Sequence, residues 1–280
     1  MSFLRNLRTE YHLRKARLMG HWRRKLCGPH GRAIIAETPQ GRFACNPEDM
    51  GVGWRLCQHG GHDAEKIEEL LKLVTPESRV LVAGTHIGTL AVPLARAVRE
   101  VIAFEANPPT FDLLTTNLVL NDVHNCKAHN LALGAKAGTA RFLQNRVNSG
   151  GSKIVPKIMH SGYVFDQPAE VEVQVVALDE FLDDVRFDLI IMDIEGSEYA
   201  ALSAMPRSLA ASKHLQVEYL PHHLDNVAGV TDEAFAALLE PHFETMILQG
   251  TDRQARRGGF ASFLAQLRAD GLEGDLLLGK

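Results

Sequence analysis

Two apolar runs with unusual endings limit what this chain can fold into. Arg79-Val-Leu-Val-Ala83 breaks at Gly84 and passes Thr85-His-Ile to Gly88. It resumes with Leu90, Leu94, Ala95 and Val98 at helical spacing. That order reads as strand, glycine loop, helix. Val101-Ile-Ala-Phe104 is then a second buried strand, tipped by Glu105. An acid at the tip of the strand after a glycine loop suits the hydroxyls of a ribose, so a nucleoside-bearing cofactor is the working expectation. Gly84 and Gly88 stand in G-x-x-x-G, which lacks the third glycine of a dinucleotide site; a plain tight turn explains them equally well.

A second block repeats the theme. Phe187-Asp-Leu-Ile-Ile-Met192 is another buried strand, and it ends in Asp193-Ile-Glu195-Gly196-Ser-Glu198. In a doubly wound sheet, ligands lie across the carboxyl ends of the strands, so these acids join Glu105 as candidates. Leu215-Gln-Val-Glu-Tyr219 is a further strand, carrying Glu218 and followed by Pro221-His222-His223.

The remaining segments fill an alternating α/β pattern. Residues 1–28 hold Arg5, Arg8, Arg14, Lys15, Arg17, Arg23, Arg24 and Lys25 against Glu10 alone. Leu4, Leu7, Tyr11, Leu18 and Trp22 fall near one helical face. Such a basic helix suits packing on its own domain, dimerisation or peripheral membrane contact. Residues 33–45 read as two short strands around Pro39-Gln-Gly41, and 46–61 as a loop. Asp63 is placed to cap a helix through Ile67, Leu70, Leu71 and Val74. Asn107-Pro-Pro109 opens another helix. A strand is expected over Cys126–Leu133, and the polar, glycine-containing stretch 145–161 reads as a mobile loop. The domain reading is a basic extension (1–28) and one domain (29–280). Within that domain lie a leading strand and helix segment (29–78), a binding core (79–250) and a closing helix and strand (251–280).

Composition excludes several classes. A formal charge of −4 gives no bulk attraction to nucleic acid, and 45% apolar content is that of an ordinary globular domain. No apolar run reaches the ~20 residues a membrane-spanning helix needs, and the N-terminus lacks a signal-type apolar core. Cys27, Cys45, Cys57 and Cys126 show no C-x-x-C spacing, so free thiols and a cytoplasmic location are expected.

The blocks together resemble the FkbM-type S-adenosylmethionine-dependent methyltransferases. The matching pieces are Val80-Leu-Val-Ala-Gly-Thr-His-Ile-Gly88, Ala103-Phe-Glu-Ala-Asn-Pro108, Asn117 with Leu120-Asn121, and Leu131-Ala-Leu-Gly134. Asn148-Ser-Gly-Gly-Ser152, Leu178-Asp179, Met192-Asp-Ile-Glu-Gly-Ser-Glu198 and Val217-Glu218 follow in the family's order. The resemblance implies a Rossmann-like class I methyltransferase fold, a mainly parallel seven-stranded sheet flanked by helices. It implies that Gly84, Thr85, His86, Gly88, Glu105, Ala106, Asn130, Ala132 and Asp193 surround S-adenosylmethionine, with Glu105 on the ribose. It also implies O-methylation of a hydroxyl on a small molecule or glycan. The chain departs from the family at Val82, where an acid is usual, at His86, where Asn is usual, and at Met192, where Lys is usual. Loss of the acid at position 82 removes a partner for the cofactor's ammonium end, which implies weaker cofactor affinity, a compensating group such as His86, or a domain that no longer catalyses.

Methyl transfer to oxygen needs alignment and a general base. Asp193, Glu195, His222 and His223 are the candidate bases. Asp193, Glu195 and Glu218 also form a candidate Mg²⁺ set, since Mg²⁺ takes carboxylates and water. The competing reading is a non-catalytic Rossmann-like binding module that has lost the cofactor.

Overall fold

The computed structural model describes residues 2–280, with side chains from Tyr11 onward. Leu4 and Leu7 therefore lie outside the described side chains. Helix α1 (Ser2–Leu26) leads to a hairpin of β1 (Ile34–Thr38) and β2 (Gly41–Cys45), then α2 (Val52–His59) and α3 (Ala64–Leu71). The core follows as β3 (Arg79–Ala83), α4 (Ala91–Ala95), β4 (Glu100–Phe104), α5 (Pro108–Leu120) and β5 (Cys126–His129). Four strands come next: β6 (Ala132–Leu133), β7 (Gly138–Gln144), β8 (Lys153–Ile154) and β9 (Ala169–Val176). The alternation resumes with α6 (Leu178–Phe181), β10 (Leu189–Met192), α7 (Glu198–Ser203), α8 (Pro206–Ala211), β11 (His214–Tyr219) and α9 (Pro221–His223). It closes with α10 (Asp232–Leu239), β12 (Thr245–Leu248), β13 (Gln254–Arg256), α11 (Phe260–Asp270) and β14 (Gly274–Gly279).

The main sheet runs β13-β12-β14-β11-β10-β3-β4-β5. From β11 to β5 every neighbouring pair is parallel, and β14 enters antiparallel between β11 and β12. The expected seven-stranded Rossmann-like sheet is therefore present, with the short β13 added at one edge. Helices cover both faces, which is why β3 is buried at all five positions. Successive residues of β3 serve different layers. Leu81 and Ala83 pack with α7, α10 and α11, while Val80 and Val82 pack under α3 and α4.

Four local expectations need correction. The strand expected over 126–133 splits between sheets, because Asn130 turns the chain: its amide donates to the carbonyls of Glu105 at 2.8 Å and Ala106 at 3.2 Å. β6 then joins the separate sheet β6-β9-β7-β8. The loop expected at 46–61 contains α2, whose N-terminus is held by Asp49 accepting from Gly51 N at 2.7 Å and Gly53 N at 3.1 Å. Asp63, expected as a helix cap, has a left-handed backbone and makes no capping bond; it faces His62 at 3.4 Å.

The stretch 145–161, expected as a mobile loop, is tied down. Asp166 accepts from the amides of Arg146 and Val147, and Ser152 accepts from Asn145 N. Asn145, Ser149, Gly151 and Lys153 are buried as a result. No helix among the described residues is long and apolar enough to cross a membrane.

Candidate active site at two strand ends

Parallel register brings three loops together. Ala83 pairs with Phe104 on one side and Met192 on the other, so Gly84, Glu105 and Asp193 emerge side by side. Gly84 has φ of +79°, and a Cβ there would lie 1.6 Å from the Asp193 carbonyl oxygen. Its first duty is thus to let two loops of the protein itself touch. Gly88 likewise makes room for Leu114, with a Cβ distance of 2.9 Å.

Glu105 is buried, and each carboxylate oxygen accepts one backbone amide: His86 N on one and Asn107 N on the other, both at 2.8 Å. Burial pushes its pKa up to about 7, against the downward pull of those two amides. Two amides leave lone pairs on both oxygens for further donors. Phe104, Ala106, Leu131, Ala132 and Phe142 wall the slot beside it. This slot of about 60 Å³ shares Gly84, His86, Asp193 and Glu195 with a neighbouring cavity of about 460 Å³, within the size range of small-molecule sites.

His86 anchors the glycine loop to two distant segments. Its Nε2 lies 2.8 Å from Ser149 Oγ, which donates in turn to Asp49 Oδ2 at 3.0 Å. With the serine proton committed to Asp49, Nε2 must be the donor to Ser149. Nδ1 then holds a lone pair, and it is buried with no partner among the described residues. Burial lowers the His86 pKa, which keeps the ring neutral.

The other strand end is crowded with acids. Asp193 lines both cavities, and burial, followed by the charge of Glu195, raises its pKa to about 7. Glu195 sits at φ +56° and is ion-paired to the buried Lys153 at 2.6 Å. Burial raises Glu195, and Lys153 opposes that shift. Lys153 also lies 4.6 Å from the Tyr163 ring and 3.0 Å from His223 Nε2. Glu218 is pushed far above the carboxylate range by burial and by Asp193, Glu195 and Glu198.

Two of the sequence candidates change standing here. An ammonium has only donors, so His223 Nε2 accepts from Lys153 and its lone pair is engaged. Burial and that cation depress its pKa to about 2, which removes His223 as a base. His222 stacks on Tyr163 at 6.1 Å and lies outside the linings of both cavities. In the metal set, Glu195 is engaged by Lys153. The carboxylates that converge are Asp193, Glu198 and Glu218, with ligand atoms within 4.8 Å of one another. Glu198 already accepts Ile194 N at 2.8 Å, so that loop uses it as an internal cap.

Among the cofactor candidates, Gly84, Thr85, His86, Glu105, Ala106, Ala132 and Asp193 line the cavities. The Thr85 hydroxyl donates to Val82 O and Phe104 O, and Asn130 holds the Glu105–Ala106 turn, so both shape the wall through the backbone. Val82 is buried among apolar side chains and borders the larger cavity. Asp49, Ser149, Lys153 and Tyr163 were not singled out from sequence. Ser149 and Lys153 fall in or beside the Asn148–Ser152 motif, whereas Asp49 lies in a stretch with no motif at all.

The model of the methyltransferase FkbM domain matches residues 83–245, more than half of the chain. This chain belongs to the FkbM methyltransferase family. Among relatives of this FkbM chain, Methyltransferase 1 of Beauveria bassiana is 25% identical, with 46% of this chain and 59% of that protein covered. Methyltransferase sdnD of Sordaria araneosa is 26% identical, with 44% and 58% covered. The chain thus spans about three fifths of the length of these relatives. A solved FkbM methyltransferase from Methylobacillus flagellatus aligns at TM-score 0.45 and 17% identity over 73% of this chain and 44% of that one. A 16S rRNA N2 G1207 methyltransferase from T. thermophilus, solved with AdoMet and guanosine, aligns at 0.44 and 15% over 89% and 50%.

FkbM membership implies S-adenosylmethionine as methyl donor, and the residues present fit it. A buried carboxylate with spare lone pairs stands beside an apolar slot, matching a ribose diol next to an adenine. The unpartnered His86 Nδ1 suits the donor's ammonium group.

Proposed function

We propose that this FkbM chain is an S-adenosylmethionine-dependent O-methyltransferase acting on a hydroxyl of a sugar or natural product. When bound, S-adenosylmethionine supplies a methyl group activated on a sulfonium. Glu105 would hold its ribose, and Phe104, Ala106 and Ala132 its base. The observation that carries the reading is Asp193: a carboxylate in the wall common to both cavities, its pKa lifted to about 7. A general base works best with a pKa near the operating pH, and an aspartate at its ordinary value would be too weak to accept an alcohol proton efficiently. Lys153 opposes the upward push of burial on Glu195, and Glu195 in turn raises the pKa of Asp193.

The test is methyl transfer from labelled S-adenosylmethionine to panels of hydroxylated and amine-bearing acceptors, with S-adenosylhomocysteine binding measured in parallel by calorimetry. Labelled products are expected from the hydroxylated acceptors and not from the amine-bearing ones. Asp193→Asn should cut their formation by about 10²- to 10⁴-fold and leave calorimetric binding nearly unchanged. Normal turnover in that variant would remove Asp193 from the chemistry. Failure of S-adenosylhomocysteine to bind the parent chain would instead support a binding module without catalysis.

A further inference from the structure

Helix α1 has two unlike faces. Toward the body it turns Leu13, Ala16, Met19, Gly20 and Arg23, which are buried or half-buried. A Cβ at Gly20 would meet the Glu48 carbonyl oxygen at 2.5 Å, so helix and body are in close contact. Arg23 donates to Asp49 O at 2.8 Å and lies over the Trp54 ring at 5.3 Å. Outward, Tyr11, Leu18, Trp22 and Leu26 are 63%, 59%, 52% and 84% exposed. At 100° per residue these positions fall on a single narrow stripe of the helix. Lys15 lies in the stripe, and Lys25 reaches over the Trp22 ring at 5.1 Å.

Charge is distributed just as unevenly. Residues 1–28 hold eight Lys and Arg against one Glu, a formal +7 in a chain of −4, which leaves −11 on residues 29–280. No Asp or Glu occurs between Tyr11 and Ala36. Three occupants would cover an exposed apolar stripe set among cations, and the charges separate them. A second copy of α1 would bury the stripe but would press cation against cation with Glu10 alone to answer. A nucleic acid would answer the cations but leave Leu18 and Leu26 in water. An anionic lipid surface takes both, with Trp22 and Tyr11 at headgroup depth and the lysine ammoniums among the phosphates.

We propose that α1 is a peripheral docking element for anionic lipid bilayers, with the acidic body held away by its own charge. Arg23 makes the docked helix continuous with the site, since Asp49 carries the Ser149–His86 chain on its side chain. The reading does not depend on which acceptor is methylated.

Flotation of the full chain with phosphatidylcholine vesicles, with and without phosphatidylglycerol, tests it. The chain is expected to float only with phosphatidylglycerol, to be released by salt, and to show a blue shift of emission that Trp22→Phe reduces. Leu18→Glu with Trp22→Glu should lower the bound fraction about ten-fold or more. Lys15→Glu with Lys25→Glu should do so too, and unchanged melting of both variants shows that the body is intact. Equal flotation on pure phosphatidylcholine, or none on phosphatidylglycerol, overturns the proposal. Dimers in sedimentation that dissociate in Leu18→Glu would also overturn it, in favour of a second copy.

Discussion

The two strand ends of the site hold carboxylates of similar acidity for different reasons. At the end of β4, Glu105 is raised to about 7 by burial alone, and two backbone amides pull the other way. At the end of β10, Asp193 is raised to about 7 by burial and by the neighbouring Glu195. The first is a fixed acceptor with its geometry set by the main chain, suited to neutral hydroxyl donors. The second is a charge-regulated cluster in which every proton or cation changes the others. On the proposed reading, variants at the two ends should separate binding from chemistry, although Gly84 and Asp193 touch through their backbones.

The largest effect expected from that contrast is at Lys153. It is the buried cation of the acidic end, bonded to Glu195 at 2.6 Å with its side chain 5% exposed. Lys153→Met leaves Glu195 buried beside three other carboxylates. Removing one partner of a buried pair costs about 3–5 kcal/mol, because the remaining charge is unanswered. Urea unfolding of Lys153→Met, Glu195→Gln and the double variant measures it. The double variant should recover much of the loss. Additive losses would mean that Lys153 packs against Tyr163 without answering the acids.

A smaller effect is expected at the other end. Glu105→Ala should weaken S-adenosylhomocysteine binding ten-fold or more, about 1.4 kcal/mol, while Asp193→Asn changes it little. Calorimetry on both variants sharpens the division. Equal losses would show that one ligand group bridges both ends, and no loss at Glu105 would end its role on the ribose.

Much of this frame was legible from the chain alone because it rests on short-range rules. Four-residue apolar runs closed by Gly84, Glu105 and Asp193 fix a buried parallel sheet and its functional edge. What escaped was set by side chains meeting across long separations. Lys153 reads as an ordinary surface lysine after a glycine-rich stretch, and only the fold places it against Glu195 and His223. Asp49 has no motif, yet it caps α2 and anchors Ser149 and His86. The stretch 145–161 looked mobile because its composition is polar, and composition is silent on Asp166 accepting two of its amides. His223 was attractive as a strand-end histidine until the neighbouring ammonium took its lone pair.

The smallest effect is a slope with pH, and it tells the two ends apart. Glu105 and Asp193 both titrate near 7 when folded, above the roughly 4 of an unfolded carboxyl. Between those values the folded chain holds protons that the unfolded chain has released. Stability is thus full below the unfolded pKa and falls as pH rises through about 7, the reverse of an ion-paired carboxylate. A half-titrated group contributes a slope of about 0.7 kcal/mol per pH unit. Unfolding followed between pH 5 and 8 should show that decline. Glu105→Gln should remove one group's share and no more. Asp193→Asn should remove its own share and also shift what remains, since Glu195 and Glu218 lose a charged neighbour. Identical flattening in the two variants would mean that the acidic end titrates as isolated groups, and that its crowding does not tune Asp193.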